Sequence, residues 1–463
     1  MAWIWTAISV ISFVWVLQVL LSLKRNRKLP PGPTGLPIIG HFHLLGKNPH
    51  QDFHNLAQKY GPIMYLRFGF VPTIVVSSPA AAELVLKTHD LIFAGRAHHQ
   101  AAKEISYDKR NIVFAQYGIY WRNMRKLCTL ELLSNFKINQ FQPMRRAEIE
   151  VFVESLQRAA GKRETVDISA RISAMIGDMT CLMVFGRKFA DGDLDEKGFK
   201  AVIGETLQVA ALPNIADYFP FLAALDLQGL TRRMKELSKT FDGFLERIID
   251  DHIQNKQEKK HAQDFADTMI TIMESGEAGF EFDRRHVKAV LLQELEQAVG
   301  MDQIVEESHL DRLEYLDMVV KETLRLHPAV PLLIHESLED CVVDQFHVPK
   351  GSRVIVNVWS IGKDPNAWRE PQKFLPERFI GSNIDLRGQD FQLIPFGSGR
   401  RGCPGLQLGL TVVRLVLAQL VHCFDWELPD GMVASELDMA EHFGLVTCRE
   451  NHLLAVPTYR LLK

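Results

Sequence analysis

The residue with the clearest chemical potential is Cys403, which ends the Gly-rich stretch Phe396-Gly-Ser-Gly-Arg-Arg-Gly-Cys403 and is followed by Pro404 and Gly405. An apolar run from Leu406 to Phe424 comes next and is long enough to form a helix. A thiol at the start of a helix lies at the positive end of the helix dipole, and Arg400 and Arg401 add positive charge, so we expect the thiolate to be favoured. A thiolate without a neighbouring cysteine or histidine suits the axial position of a haem iron.

Two other interpretations of this turn remain open at this point. Gly397-Ser-Gly-Arg-Arg-Gly402 matches the GxGxxG pattern of dinucleotide-binding turns, with a possible strand over 391–395 before it and a helix after it. Only about sixty residues follow, however, which is roughly half of what a doubly wound nucleotide-binding domain needs. The other interpretation is a structural cysteine beside a helix cap, and the rest of the chain must distinguish these possibilities.

The composition indicates a globular protein and gives no reason to expect a nucleic-acid partner. The chain has 463 residues, of which 47% are hydrophobic and 24% charged, and its formal net charge is −3. Its six cysteines are scattered without a CxxC pair. This spacing argues against a disulfide scaffold or a structural zinc site, and it favours a reducing compartment.

The N-terminal sequence predicts a membrane anchor followed by a stiff hinge. Residues 3–23 carry no charge and have the length that crosses a bilayer, and the basic cluster 24–28 predicts a cytosolic body. A cleaved signal peptide is less favoured, because the apolar run is long and no small-residue cleavage site is evident. Prolines exclude a helix over 29–37. We therefore expect a transmembrane anchor (1–23), a basic and proline-rich hinge (24–37) and a cytosolic catalytic domain (38–463).

The elements that must position the cysteine form a mainly helical pattern with small β-sheets. Strands are expected at Gly61–Gly69 and Thr73–Ser77, and again at Val342–Val348 and Val354–Val358. Between these two β regions, residues 121–295 have mostly helical periodicity. The cysteine turn and its helix follow the second β region.

Three further constellations contain side chains that can act together with this turn. Trp121 and Arg125 are four residues apart on one helix face, where an indole N–H and a guanidinium can bind a carboxylate together. Glu322 and Arg325 form an i,i+3 pair on a helix, and Arg378 lies in coil where a buried carboxylate can attract it. Taken singly, each pattern is also explained by packing or by an exposed salt bridge.

In this order the four motifs resemble the signature series of the cytochrome P-450 superfamily, the haem-thiolate monooxygenases. The turn around Cys403 looks like that of the large plant clade acting on phenolics, terpenoids and other specialised metabolites, and the proline-rich hinge resembles the microsomal type. The resemblance implies the cytochrome P-450 fold and haem b (iron protoporphyrin IX). It also implies NADPH-cytochrome P-450 reductase, a small-molecule substrate and the endoplasmic reticulum membrane as partners, with a single-pass anchor.

The resemblance also assigns roles to individual residues. Cys403 would be the axial thiolate, whose electron donation favours O–O cleavage. Phe396 would pack near its sulfur, and Gly405 would let the chain pass close to the macrocycle. The haem propionates would be held by Trp121, Arg125, Arg401 and, on a weaker match, His335. A buried structural triad would consist of Glu322, Arg325 and Arg378.

One part of the family pattern is missing from this sequence. The family carries a central helix over the distal haem face, with an Ala/Gly-Gly-x-Asp/Glu-Thr motif. Here Arg285–Leu292 resembles the approach to that helix, whereas Gln293–Gly300 resembles a segment well beyond it. We therefore expect an internal deletion near 292/293 of roughly thirty residues, about 45 Å of helix, and no catalytic acid and threonine. Partial matches to the motif, Glu205-Thr206 and Asp267-Thr268, lie elsewhere in the chain.

Three functions follow from this pattern. The first is a monooxygenase that hydroxylates a small apolar or phenolic specialised metabolite with O2 and electrons from a reductase. The second is an inactive haem-binding or misfolded remnant, and the third is an oxygen-independent haem isomerase or dehydratase. Ordinary spacing before Cys403 weakens the third. The substrate itself is not encoded recognisably; in the family the pocket is lined by the segments Phe93–Gly118, Ala201–Asp217, Ala329–Ile334 and Phe443–Val446.

Overall fold

The computed structural model describes residues 28–189, 199–254 and 305–461, together with Trp3. The predicted anchor, apart from Trp3, lies outside the described residues. So does the predicted deletion site at 292/293.

Helices are the main regular structure of the described residues, and they dominate the part of 121–295 that is described, as the periodicity predicts. They are α1 (Pro49–Tyr60), α2 (Pro79–Glu83), α3 (Gln100–Ile105), α4 (Ile119–Leu127), α5 (Asn135–Gln140), α6 (Gln142–Lys162), α7 (Ile168–Phe185), α8 (Phe199–Ala211), α9 (Leu230–Gln254), α10 (Glu314–Leu326), α11 (Val358–Ile361) and α12 (Leu406–Cys423). Single π-helical turns extend α2 over Leu84–Thr88 and α4 over Cys128–Leu132.

Among the described residues, the strands are short and form four small sheets. They are β1 (Ile63–Phe68), β2 (Val71–Val76), β3 (Val166–Asp167), β4 (Leu332–Glu336), β5 (Cys341–Val343), β6 (Phe346–Val348), β7 (Arg353–Asn357), β8 (Phe424–Glu427), β9 (Glu441–His442), β10 (Cys448–Arg449) and β11 (Leu454–Tyr459). The largest sheet has the order β1-β2-β7-β4, in which β2 and β7 are parallel. The others are β3-β11-β8, β5-β6 and β9-β10.

Local sequence accounts for these boundaries. The Ser78 side chain accepts a hydrogen bond from the Ala81 N–H, and Pro79 occupies the first turn, so α2 begins at Pro79. The strand expected over Val342–Val348 is instead the hairpin β5–β6. Its turn residues Asp344 and Gln345 both have positive φ, which reverses the chain.

The main hydrophobic core lies between α6, α7, α10 and α12. It contains the fully buried Leu156, Leu316, Val319 and Ala418, together with Phe424, which begins β8. Helices α7 and α12 are long and apolar enough to cross a membrane, but both contribute side chains to this core. A second core of aliphatic residues packs against the four-stranded sheet. Outside these cores, the turn that leads into α12 contacts Arg125 of α4 and Leu86 at the end of α2.

Candidate functional site

The cysteine turn is a tight loop that connects a 3-10 turn, Gly399–Arg401, to α12. The Cys403 N–H donates to the Phe396 carbonyl oxygen at 2.8 Å, which closes the loop. Gly399 has a φ of +65°, and a Cβ there would collide with the carbonyl oxygen of Leu86. The turn thus packs against the end of α2 so closely that only glycine fits.

The structure decides between the three interpretations of this turn. Helix α12 begins at Leu406, as predicted, and ends at Cys423, one residue before the predicted end. No strand forms over 391–395, where the chain makes turns. The dinucleotide-binding interpretation is therefore wrong, because its phosphate-binding turn requires a preceding strand. The Cys403 residue is exposed to solvent, although neighbouring atoms partly desolvate its sulfur, so it is not a structural cysteine of the hydrophobic core.

The protein environment alone does not favour the Cys403 thiolate. Burial raises the pKa of the Cys403 thiol, whereas the Gly405 N–H and the Arg125 guanidinium lower it less strongly. Arg400 pairs with Asp90 at 3.0 Å, and Arg401 donates to backbone carbonyls, so neither charge is directed at the sulfur. The expectation that the helix dipole and the two arginines favour the thiolate is therefore wrong, because both arginines are engaged by other groups. A coordinated cation would supply the missing stabilisation, because a metal-bound thiol is deprotonated.

A cluster of cationic side chains lies beside the turn. The Arg125 Nη1 donates to the carbonyl oxygen of Gly402 at 2.5 Å, so α4 is joined directly to the residue before Cys403. The Trp121 indole is buried, with the guanidinium of Arg401 4.4 Å and that of Arg125 5.8 Å from the ring centroid. Its Nε1–H donates to the Ile112 carbonyl oxygen at 2.9 Å rather than to a carboxylate. Arg401 donates to the carbonyl oxygens of Ala94 (2.8 Å) and Ala115 (2.7 Å). The structure thus brings together Trp121, Arg125 and Arg401.

His335 and an arginine that sequence reasoning missed complete this cluster. The His335 ring is buried and its Nδ1 lies 2.9 Å from the Phe93 carbonyl oxygen. Burial, followed by the charges of Arg96 and Arg401, lowers the pKa of His335 to about 3. Arg96 donates from Nε to the Val113 carbonyl oxygen at 2.8 Å. Its proximity to His335 depends on the pairing of Gly95 with Glu336, which no local pattern reveals.

The charge balance of this cluster fits an anionic group. Burial lowers the pKa of Arg96 to about 10, and burial with the nearby Arg96 and Arg125 lowers that of Arg401 to about 9. Within the described ranges, no carboxylate forms an ion pair with any of these three arginines. Cations held close together without a counter-charge are stabilised by a bound anion. A haem would place its two propionate carboxylates beside an iron held by Cys403. The residues present therefore fit a haem.

Phe396 and Gly405 flank the cysteine. Phe396 is partly buried and packs against the main core. Its ring edge would lie 3.8 Å from a Cβ on Gly409 of α12, and a Cβ on Gly405 would lie 4.0 Å from the Cys403 sulfur. In the 28–189, 199–254 and 305–461 ranges, no group of three or more histidine, cysteine, aspartate or glutamate side chains could hold a metal. Cys403 would therefore act as a single protein ligand.

The predicted triad forms a fully buried ion pair with a second arginine. Arg325 makes two hydrogen bonds to Glu322, of 2.7 and 2.8 Å, and both side chains are inaccessible to solvent. Arg378 Nε lies 3.1 Å from each oxygen of the same carboxylate. The Leu375 N–H also donates to it, at 2.7 Å. Because Arg325 further donates to the carbonyl oxygens of Pro371 and Lys373, the triad ties α10 to the irregular chain that leads to the cysteine turn.

The distal side of the site is where the sequence expects no acid and threonine. The pair is expected between about residues 285 and 310, of which 285–304 lie outside the described residues, as does the partial match Asp267-Thr268. The other partial match has different partners: Glu205 pairs with Arg233, and the Thr206 hydroxyl donates to the Val202 carbonyl oxygen at 2.7 Å. Glu205 and Thr206 therefore belong to the packing of α8 against α9.

Comparisons with known proteins agree with this geometry. The cytochrome P450 family profile matches residues 30–293 and 282–454. The chain is 49% identical to "Cytochrome P450 CYP736A12" of Panax ginseng over 96% of each protein. It is 38% identical to "Cytochrome P450 71AP13" of Prunus mume, over 94% of this chain and 91% of that protein.

Two further comparisons concern length and fold. The alignment with "Cytochrome P450 750A1" of Pinus taeda, 38% identical, runs over 506 positions and covers 98% of this chain and 96% of that protein. A zebrafish cytochrome P450 solved with progesterone superposes with a TM-score of 0.71 at 24% identity, covering 89% of this chain and 99% of that one. This last likeness concerns the fold, and it agrees with the predicted mainly helical architecture.

Proposed function

Because this chain belongs to the cytochrome P450 family, its cofactor is haem and its chemistry is that of a haem-thiolate monooxygenase, and we propose that its substrate is a small apolar or phenolic specialised metabolite. The observation that carries the haem-thiolate function is the cationic cluster of Arg96, Arg125 and Arg401 beside Cys403, which has no carboxylate partner in the described chain. Support for the substrate class comes from the cysteine turn, which resembles that of the plant clade, and from the plant relatives.

We propose specific roles for the residues around the cofactor. Cys403 would be the protein ligand of the iron, and the Cys403 N–H to Phe396 hydrogen bond positions its backbone. The two propionates would be held by Arg96, Trp121, Arg125, Arg401 and His335. His335 is a neutral hydrogen-bonding partner, since its pKa lies near 3. When bound, the haem supplies the activation of O2, and the thiolate tunes its electronics. Glu322, Arg325 and Arg378 support this arrangement without touching it.

The proposed cellular setting follows the microsomal type. A P450 needs a redox partner and a small-molecule substrate, and here we propose NADPH-cytochrome P450 reductase as the partner. Residues 1–23 would anchor the chain in the endoplasmic reticulum membrane, residues 24–37 would form the hinge, and 38–463 would be the cytosolic catalytic domain.

We also propose that this polypeptide lacks the distal segment near 292/293. Two observations support the proposal. The family profile matches in two pieces that share residues 282–293. The alignment with the Pinus taeda relative runs over 506 positions, more than the 463 residues of this chain, so dozens of its positions stand opposite gaps in this chain. Such a chain would keep the cysteine side of its site and lose the wall that faces the substrate.

The reduced carbon monoxide spectrum tests both proposals. Microsomes that contain this chain should show little or no thiolate-haem Soret band, because the missing helix would leave a large cavity or a collapsed core. A full-strength band would contradict the inactive remnant and favour the active monooxygenase. Sequencing the transcript provides the matched control: an exon of about thirty codons absent between the codons for 292 and 293 would explain the spectrum.

The inactive remnant remains the second candidate function for this polypeptide, on the same two observations. The oxygen-independent isomerase or dehydratase has less support, because the turn before Cys403 has ordinary spacing and no insertion.

A further inference from the structure

A buried polar cluster lies away from the cysteine turn, at the base of the β9–β10 hairpin. At its centre is Glu441, whose side chain is 13% exposed. The carboxylate accepts hydrogen bonds from His50 Nε2 at 3.0 Å, from Gln51 Nε2 at 3.2 Å and from His327 Nδ1 at 3.2 Å. His50 and Gln51 belong to α1, whereas His327 follows α10. One carboxylate thus joins three parts of the chain that are far apart in sequence.

The surroundings of Glu441 favour its ionised form. Burial opposes ionisation, but hydrogen bonds from His327 and His50 outweigh it and lower the pKa of Glu441 far below its usual range. The buried Lys363 is a further nearby cation, which lies 3.8 Å from the centroid of the Trp359 ring and donates to the Leu326 carbonyl oxygen at 2.5 Å. Glu441 is therefore a charged, multiply bonded anchor, which is the strong kind of hydrogen-bond acceptor.

The aromatic packing extends this anchor into the hairpin loop. The His50 ring stacks on Phe443, with 5.5 Å between centroids and an interplanar angle of 28°. It also meets the edge of Trp359 at 5.4 Å. The Asn357 side chain donates to the His50 carbonyl oxygen at 2.8 Å, so His50 itself is held by the end of β7. The loop residue Phe443 is thus positioned from outside the hairpin.

The loop between β9 and β10, Phe443–Val446, is bounded by two segments that lead toward the site. The Thr447 N–H donates to the Ala329 carbonyl oxygen at 2.8 Å, and Ala329 precedes β4, which carries His335. On its other side, a Cβ on Gly444 would lie 4.0 Å from Ala211, the last residue of α8. The loop therefore lies between the end of α8 and the start of β4.

We propose that Glu441 is a positioning residue, which clamps the β9–β10 hairpin through His50, Gln51 and His327 and thereby sets where Phe443–Val446 lies between α8 and β4. The inference rests on the proposed function in one respect, namely that this loop borders the substrate. Its contacts with Ala329 and Ala211 exist whether or not the chain binds haem.

Hydrogen exchange on the full chain in detergent tests the clamp. Glu441→Gln keeps the side-chain size but presents an amide N–H to at least one of its donors, so exchange in the peptide over 443–450 should rise about tenfold or more. Glu450→Gln, an exposed carboxylate on the same segment, is the matched control and should leave exchange unchanged. Unchanged exchange in Glu441→Gln would overturn the proposal. So would a loss of protection spread equally over the β1-β2-β7-β4 sheet, which would mean general destabilisation.

A second measurement separates this inference from the proposed function. This measurement uses a chain in which the corresponding residues of the Panax ginseng relative are inserted between 292 and 293. There Glu441→Gln should keep the carbon monoxide band and weaken the binding of 4-phenylimidazole, measured by the spectral shift, about fivefold or more. Absence of the band in every variant, the unsubstituted chain included, would sink the proposed function and leave the exchange result standing. An intact band with unchanged 4-phenylimidazole affinity would overturn the inference, because the hairpin would then move without altering the pocket.

Discussion

At the scale of single residues, the site depends on which charges have partners. Glu322 satisfies two arginines in a solvent-free environment, whereas Arg96, Arg125 and Arg401 have only backbone carbonyls and an indole as partners among the described residues. Buried ion pairs are expensive to break because the remaining charge is left without solvent. Glu322 and its two arginines therefore maintain the fold, whereas the cationic cluster beside Cys403 is available to bind an anion.

The triad gives the first prediction. Glu322→Gln leaves Arg325 and Arg378 facing a neutral amide, so the free energy of unfolding should fall by about 3–5 kcal/mol. Urea denaturation, monitored by circular dichroism, measures this change in the free energy of unfolding. Glu314→Gln, an exposed acid at the start of the same helix, is the control and should cost less than about 1 kcal/mol. Equal losses in both variants would show that the triad is not a special contributor.

Lys363 gives a prediction about pH. Burial lowers its pKa to about 7 from 10.5, so between these values the unfolded chain holds a proton that the folded chain has released. Its contribution to the free energy of unfolding therefore rises from pH 7 to pH 10. Lys363→Met removes this contribution, and its stability relative to the unsubstituted chain should fall over that interval, by an amount on the order of a few kcal/mol.

Urea denaturation at pH 7, 8, 9 and 10 tests this prediction. The exposed Lys87, which pairs with Glu83, provides the control Lys87→Met, whose stability difference should not change with pH. A pH-independent difference for Lys363→Met would mean that Lys363 stays protonated in the folded chain.

At the scale of elements, close approaches between segments explain several glycines. Gly362, at the end of α11, packs its backbone on α10, and an added Cβ would collide with the carbonyl oxygen of Arg325. Gly243, within α9, has no atom within 4 Å of an added Cβ. These two positions differ in packing although both have helical backbone conformations, and they form a matched pair.

Opposite effects are expected from the same substitution at these two positions. Gly362→Ala should destabilise the chain by about 1–3 kcal/mol through overpacking, and it should disturb the Arg325 hydrogen bonds. Gly243→Ala should stabilise it by about 0.5–1 kcal/mol, because alanine loses less backbone entropy in a helix. Thermal unfolding of both variants measures the two stability changes. A stabilising Gly362→Ala would contradict the packing described for α11.

At the scale of the whole molecule, the residues proposed for the cysteine side of the site all lie within the described residues, and the proposed deletion concerns the opposite side. The cysteine turn is held by the Cys403 N–H to Phe396 bond, by Arg125 of α4 on Gly402 and by the close approach of Gly399 to Leu86. A central helix shared by several cores would add more stability than any single contact, since total protein stability is only about 5–15 kcal/mol.

Restoring the segment is therefore the strongest test of the whole chain. Insertion of the corresponding residues of the Panax ginseng relative between 292 and 293 should raise the urea midpoint and produce a full carbon monoxide band. In that background Cys403→Ser should abolish the band, whereas Cys448→Ser, another exposed cysteine, should leave it intact. A restored chain without a band would contradict the proposed haem-thiolate site.

Much of the fold could be predicted because it depends on neighbours in the chain. Helix α12 follows from an apolar run, α2 from Ser78 and Pro79, and the Glu322–Arg325 pair from i,i+3 spacing. Such features depend on periodicity and capping, which a few adjacent residues determine. Even the error at Val342–Val348 is local, since the turn at Asp344 and Gln345 interrupts an otherwise strand-like run.

The tertiary structure decided what depends on residues hundreds of positions apart. Arg125 bonds to Gly402 across 277 positions, and His50 to Glu441 across 391. Burial raises the pKa of Cys403 in the same way, since it comes from packing. Arg401 and Arg400 do not offset it, because a backbone carbonyl oxygen engages the first and Asp90 the second. By itself the sequence determined the ordered motifs typical of the family and the helices that carry them. Only folding determined which charges are left without a partner, because desolvation and distance exist only once distant segments have packed together.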